Sequence, residues 1–381
     1  MFTKRLVLSM IFVLSILLAA CAPAAAPADI VQRYYEAVNA KQLDTAMSYI
    51  ADDVVFVNPI GVFSGKDSVR ESLQIVMDEG ITFELSNFRD TNGRIVYDYQ
   101  VFVNGEQVET GTDGLTVVRE GKITLDATER WEWKAYVTNV AFTADDAGFS
   151  GPDEITGGWV TISLTGEGQE PHHIQIVKLE AGKTLDDLKA ALTADPESYP
   201  DWAKSFGGPN APDPGGNTSA VVNLPAGRYA LIDLIPDAEG VPHFQNGLMK
   251  ALTVTEPAGD SAGEPQADAT VTLDDFSFSL TGELAAGEQT IRFLNSGEQA
   301  HEAFLVRLED GKTAEDYLNT LPGEIPPGTS LGGITGIAPD DSQYIVVNLE
   351  PGTYALYCFL PDMASHTPHF ALGMMQEIVI E

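Results

Sequence analysis

The chain has 381 residues, of which 44% are hydrophobic; this is too long for one compact core and enough to fill roughly two to four domains. Its 21 Lys and Arg stand against 56 Asp and Glu, and the resulting formal charge of −35 excludes a nucleic-acid partner, because phosphate binding needs clustered basic side chains. Such a field attracts cations and basic proteins, or simply keeps an exported protein solvated.

At the N-terminus, Lys4 and Arg5 precede an apolar stretch from Leu6 to Leu18 that closes on Leu18-Ala19-Ala20-Cys21. The stretch is too short for an ordinary spanning helix, and no later run approaches about 18 apolar residues. Residues 1–21 resemble a bacterial lipoprotein signal peptide with its lipobox. The resemblance implies cleavage before Cys21, acylation of Cys21, and a lipid-anchored, extracytoplasmic protein whose first partner is the membrane. An uncleaved N-terminal anchor, the alternative, leaves the protein outside the cytoplasm as well. The Pro- and Ala-rich residues 22–28 then read as a tether.

From Asp29 the apolar residues Ile30, Tyr34 and Val38 recur at a spacing of four, with Val31 and Tyr35 beside them, which predicts a helix. A short helix is expected around Leu43 to Ile50, then a strand through Val54-Val55-Phe56-Val57, a turn from Gly61 to Gly65 and a third helix from Lys66 to Asp78. Strands alternate from Ile81 to about Ala127, punctuated by Asn92-Gly93, Asn104-Gly105 and Glu120-Gly121. Helices followed by a meander make residues 29–132 an α+β domain. Tyr34-Tyr35-Glu36-Ala37, Ala51-Asp52-Asp53-Val54-Val55-Phe56, Phe63-Ser64-Gly65 and Glu120-Gly121-Lys122-Ile123 give this segment its resemblance to the SnoaL-like branch of the NTF2-like superfamily. The resemblance implies a bent sheet folded around helices into a cone with a pocket, in a family that includes isomerases and cyclases. Catalysis there needs an acid or base. All six His lie beyond residue 170, which leaves Asp53, Asp98, Tyr97 and Tyr99, and these form no recognisable pair or triad. The reading therefore leans against an enzyme.

The rest of the chain is a duplication. Val346-Val347-Asn348-Leu349-Glu350-Pro351-Gly352-Thr353-Tyr354-Ala355-Leu356 repeats Val221-Val222-Asn223-Leu224-Pro225-Ala226-Gly227-Arg228-Tyr229-Ala230-Leu231, with eight of eleven positions identical. The units span residues 133–256 and 269–381 and are joined by a linker, 257–268, rich in Pro, Gly and acidic residues. Each has alternating strands, a His near the start of a strand, a Gly-Lys-Thr turn (Gly182-Lys183-Thr184 and Gly311-Lys312-Thr313), one short helix and the duplicated hairpin. Short strands with frequent turns predict β-sandwiches.

In the second unit the order is His301, Cys358, His369 and Met374. If Cys21 is lipidated, Cys358 has no disulfide partner in the chain, so it is either a buried apolar residue or a metal ligand. Two imidazoles, a thiolate and a weak axial thioether are the donor set of blue copper. The pattern resembles the cupredoxin family of Greek-key copper proteins. By that resemblance His301 and His369 are the imidazole ligands, Cys358 the thiolate and Met374 the axial thioether of one copper ion. Four residues separate His369 from Met374, a common spacing in that family, whereas the ten between Cys358 and His369 exceed the familiar connection. His366 competes with His369 for the second imidazole position. Without metal, Cys358 would be a buried strand residue, His369 would bond a backbone carbonyl and Met374 would fill a core. The first unit has His172 opposite His301 and His243 opposite His369, but Asp233 replaces the thiolate and Leu248 the thioether. That set lacks the copper pattern and suits either packing or a harder ion.

The expected function is thus a membrane-anchored lipoprotein whose C-terminal domain binds copper for one-electron transfer or copper handling, with a basic redox protein or a small ligand as partner. The alternative is a metal-free ligand-binding or scaffolding protein of the cell envelope, using the NTF2-like pocket and the β-sandwich surfaces.

Overall fold

A computed structural model describes residues 25–58, 61–195, 199–257, 262–320 and 325–381; the signal-peptide reading and Cys21 lie outside them. The chain forms two compact units that divide between Ala135 and Tyr136. Among the described residues no helix is long and apolar enough to cross a membrane.

In the N-terminal unit the helix Pro27–Asn39 starts with Pro at its first turn, where a missing N–H costs nothing, and carries Asp29 toward its positive end. It buries Ile30, Val31, Tyr34 and Val38, the stripe predicted by their spacing. The helix Lys66–Asp78 spans the predicted residues and buries Val69, Leu73 and Met77. Two expectations change. The second helix stops at Met47, because the chain turns at Ser48 and Ile50 already opens the strand Ile50–Asn58. The expected turn at Gly61 to Gly65 is instead mostly the strand Gly61–Ser64, paired antiparallel to Ile50–Asn58. Six strands form one sheet, in the order 61–64, 50–58, 122–128, 106–119, 94–103, 81–91, with only the 50–58/122–128 pair parallel. Bulges between Ser86 and Arg89, Tyr97 and Tyr99, and Val117 and Val118 bend it round the helices.

The second unit is β-rich. Strands of both repeats join in one eight-stranded sheet, in the order 277–282, 269–274, 287–295, 342–349, 217–224, 158–166, 138–145, 148–150. The repeats meet at its centre, where Val221 pairs with Tyr344. Each repeat also has a sheet of its own, five strands in the first and four in the second, and one apolar core runs through all three sheets. Thr184 and Thr313, the last residues of the Gly-Lys-Thr turns, cap the helices Leu185–Ala194 and Ala314–Leu318 with reciprocal bonds to Asp187 and Asp316.

The contact between the repeats is reciprocal. Asn210 N–H donates to Gly333 O at 3.1 Å and its counterpart Thr335 N–H donates to Gly208 O at 2.9 Å. Ser205 Oγ donates to Gly336 O at 2.7 Å, and Ser330 Oγ to Ala211 O at 2.6 Å. One patch meeting its own copy is the isologous geometry of a twofold dimer, here made within a single chain.

Candidate metal centres and a buried pocket

The duplicated hairpin builds the same frame twice. In the second repeat the strand Gly352–Tyr357 delivers Cys358, whose carbonyl accepts Phe370 N–H at 2.8 Å, while His369 N–H donates to Leu360 O at 2.8 Å and Met374 N–H to His369 O at 2.9 Å. Gly373, at φ 116°, turns the chain in a conformation that a side chain would strain. In the first repeat Asp233, His243, Gly247 and Leu248 repeat these bonds, with Phe244 N–H on Asp233 O at 2.8 Å and Leu248 N–H on His243 O at 3.1 Å.

On this frame His301, Cys358 and His369 come together, fully buried, with their ligand atoms within 4.8 Å of one another. His301 Nδ1 lies 3.1 Å from His369 Nδ1, and Cys358 Sγ lies 3.3 Å from His369 Nδ1. Met374 is fully buried, and its carbonyl accepts Cys358 N–H at 3.3 Å. His366 is exposed and outside the cluster, so His369 is the imidazole that joins Cys358. Behind the site, His301 Nε2 meets Asp275 Oδ1 at 2.9 Å. His369 Nε2 is buried without a hydrogen-bond partner among the described residues.

Electrostatically this is a site of neutral imidazoles. Burial lowers the His301 pKa against the opposing pull of Asp275, and burial together with His301 brings His369 down to about 4. Burial, then the nearby Glu302 carboxyl, pushes the Cys358 thiol up. An uncharged imidazole keeps one ring-nitrogen lone pair available, and a thiol that is costly to ionise alone becomes a thiolate only beside a cation.

In the first repeat Asp233 stands between the imidazoles: His172 Nδ1 and His243 Nδ1 both meet Asp233 Oδ2, at 2.8 and 3.0 Å. Their remote nitrogens reach Asp146 Oδ1 at 3.1 Å and Glu170 Oε2 at 2.9 Å. Burial opposes ionisation of Asp233, but bonds from His172 and His243 hold its pKa below the usual range. Burial likewise opposes protonation of His172, yet Asp233 and Asp146 raise its pKa.

Asp146, Glu170, Asp275 and the glycines packed against the two aspartates, Gly168 and Gly297, carry no signal in the sequence. A Cβ on Gly168 would sit 2.2 Å from Asp146 Oδ1, and one on Gly297 would sit 2.4 Å from Asp275 Oδ1 and 2.6 Å from His301 Nε2. The position is Gly in both copies because the Asp–His bond fills the space. Gly297→Ala is expected to separate His301 from Asp275 and to destabilise the second unit by about 1–3 kcal/mol, read as a lower urea midpoint.

Between the repeats lies a cavity of about 1030 Å³ whose lining includes His173, Asn210, Glu302 and Phe359. Glu302 follows His301, directs its N–H at Cys358 Sγ (3.5 Å) and accepts Phe359 N–H at 2.9 Å and Asn210 Nδ2 at 3.2 Å. Burial raises its pKa to about 7.

The N-terminal unit has its own recess, about 150 Å³, lined by Tyr34, Tyr35, Phe56, Tyr97, Asp126 and Trp131 among others. At its base Asp126 accepts Tyr35 Oη at 3.0 and 3.1 Å, Thr116 Oγ1 at 3.0 Å and Tyr97 Oη at 3.3 Å. Burial raises its pKa from 3.8 to about 6 against these bonds.

A bent sheet wrapped on helices around an aromatic recess is what the N-terminal resemblance implied, and residues 31–125 match the SnoaL-like domain family. Residues 31–125 are a SnoaL-like domain. Solved structures similar to it include an NTF2-like protein of unknown function from Cytophaga hutchinsonii (17% identity, TM-score 0.24, covering 27% of this chain and 87% of that one). A cystatin-fold protein from Novosphingobium aromaticivorans is 20% identical (TM-score 0.25, 28% of this chain, 98% of that one). A putative polyketide cyclase from Sinorhizobium meliloti is 17% identical (TM-score 0.25, 26% and 94%). No curated protein matches the chain.

Within the SnoaL-like domain the four residues considered for acid–base roles separate. Asp53 is exposed, and Asp98 pairs with Arg89 at 3.2 Å. Tyr97 and Tyr99 line the recess, Tyr97 bonding Asp126 and Tyr99 donating to Glu109 Oε1 at 2.9 Å. Asp126 was not singled out in sequence, and Tyr35 was read only as part of the first helix and its motif; the alternation Ile123, Leu125, Ala127 is the available signal for Asp126, because it sets that residue on the opposite face of the strand.

Proposed function

We propose that this is an extracytoplasmic lipoprotein, anchored through Cys21, whose second repeat is a cupredoxin-like domain binding one copper ion through His301, Cys358 and His369 with Met374 as the axial thioether. The observation that carries the reading is the convergence of two imidazole Nδ1 atoms and one thiol sulfur in a fully buried site, with His301 held from behind by Asp275. Two neutral imidazoles and a thiolate fit copper in both of its oxidation states, and the ion supplies one-electron redox chemistry when bound. A net charge of −35 suits a basic electron-transfer partner. The SnoaL-like domain adds a recess for a small ligand, supported by the aromatic lining and the Asp126–tyrosine cluster. The test is copper(II) added to the purified full chain. An intense visible absorption is expected, and Cys358→Ala should abolish it; a wild-type protein that stays colourless and copper-free would sink the proposal and leave the metal-free ligand-binding reading.

A further inference from the structure

We propose that His172, Asp233 and His243 form a second metal site, in the first repeat, that takes a divalent ion of borderline hardness such as zinc(II) instead of copper. It is independent of the copper reading. Three observations carry it.

The first is convergence. All three side chains are buried, and both imidazoles turn Nδ1, the nitrogen used in the other repeat, toward one carboxylate oxygen at 2.8 and 3.0 Å. The second is the outer layer. Metal-bound imidazoles commonly hand their other N–H to a carboxylate, which orients the ring and strengthens it as a donor. His172 has Asp146 in that role and His243 has Glu170, whereas in the second repeat, among the described residues, only His301 is so held. Gln299 occupies the position of Glu170 there and turns away to Asp362 at 2.9 Å. The third is charge. Three carboxylates surround two imidazole rings whose centroids are 4.7 Å apart. A divalent ion where the two Nδ1 atoms and Asp233 converge offsets the negative charge of the buried Asp233 carboxylate and lets each neutral ring give its remote N–H to Asp146 or Glu170.

Replacing a thiolate by a carboxylate also decides the class of ion. An N₂O set without sulfur loses its preference for copper(I) and suits zinc(II), which accepts two imidazoles, one carboxylate and a water. Leu248, fully buried where Met374 stands in the other copy, offers no fourth donor, so the remaining position falls to water or to an added ligand.

The test uses the full chain carrying Cys358→Ala and His301→Ala, which dismantles the second repeat's site. Zinc(II) titrated by calorimetry should bind at about one equivalent, Asp233→Ala should weaken it by about 100-fold or more, and Glu170→Gln by about 10- to 100-fold. With cobalt(II) as probe, Asp233→Cys in the same background should introduce a sulfur-to-metal charge-transfer band absent from its parent. If the double variant does not fold, the wild type serves instead: two zinc equivalents falling to one in Asp233→Asn. A folded protein that binds no zinc here, or binds it equally after Asp233→Ala, would overturn the proposal and make the cluster a metal-free carboxylate–imidazolium network.

Discussion

Gly333→Ala is expected to lower the stability of the repeat unit by about 4 kcal/mol, far more than the same change at Gly311, which should cost about 1 kcal/mol. Both glycines have positive φ, 100° and 75°. They differ in what an added Cβ meets. At Gly311 there is nothing within 4 Å, so the penalty is backbone strain alone. At Gly333 the carbon would lie 2.0 Å from Ala303 O, a strand carbonyl that cannot move without opening the sheet. Gly208 repeats the problem in the first copy, 2.2 Å from Ile174 O. Each contact falls two residues beyond a site histidine, His301 or His172, so the reciprocal seam between the repeats also positions the first imidazole of both candidate centres. Urea unfolding of the two variants decides the matter; Gly333→Ala matching Gly311→Ala would show that the seam yields.

That seam marks the limit of what the sequence discloses. The helix Lys66–Asp78 and the short helix after each Gly-Lys-Thr turn were legible because their signals are local. The convergence of His301, Cys358 and His369 was legible from the duplicated hairpin, which carries two of the three on one frame and aligns His369 rather than His366 with His243. Asp146 and Asp275 were not, because each lies 26 residues before its histidine, in a turn of the shared eight-stranded sheet, and meets it only where that sheet packs on the repeat's own sheet. Nor was the shared eight-stranded sheet: pairing of Val221 with Tyr344 joins equivalent strands of the two copies, and nothing in either strand's alternation says which neighbour it takes. Gly61–Ser64 reads as a turn from its flanking glycines, yet Val62 and Phe63 pair with Val57 and Phe56 once the preceding strand exists.

In the SnoaL-like domain the sharpest expected effect is on pH dependence. Asp126 has a folded-state pKa of about 6 against 3.8 when exposed, so the fold favours its neutral form. Below about pH 3 the carboxyl is protonated whether the domain is folded or not, and it contributes nothing to the slope. Between about pH 4 and 6 the unfolded chain has released the proton while the folded domain still holds it, so stability falls by on the order of 3 kcal/mol across that window and levels off above it. Asp126→Asn removes the ionisation and keeps an oxygen that accepts from Tyr35 and Thr116. The variant should therefore match wild type near pH 3 and exceed it above pH 6, as read from the slowest-exchanging amides of residues 25–135. Parallel profiles for the two proteins would refute the assignment. A carboxyl that changes charge near pH 6 beneath an aromatic recess, already held by two phenols and a threonine, can receive a ligand's polar end either as donor or as acceptor. Occupancy of the recess should then shift with pH across the same window, and in Asp126→Asn it should not.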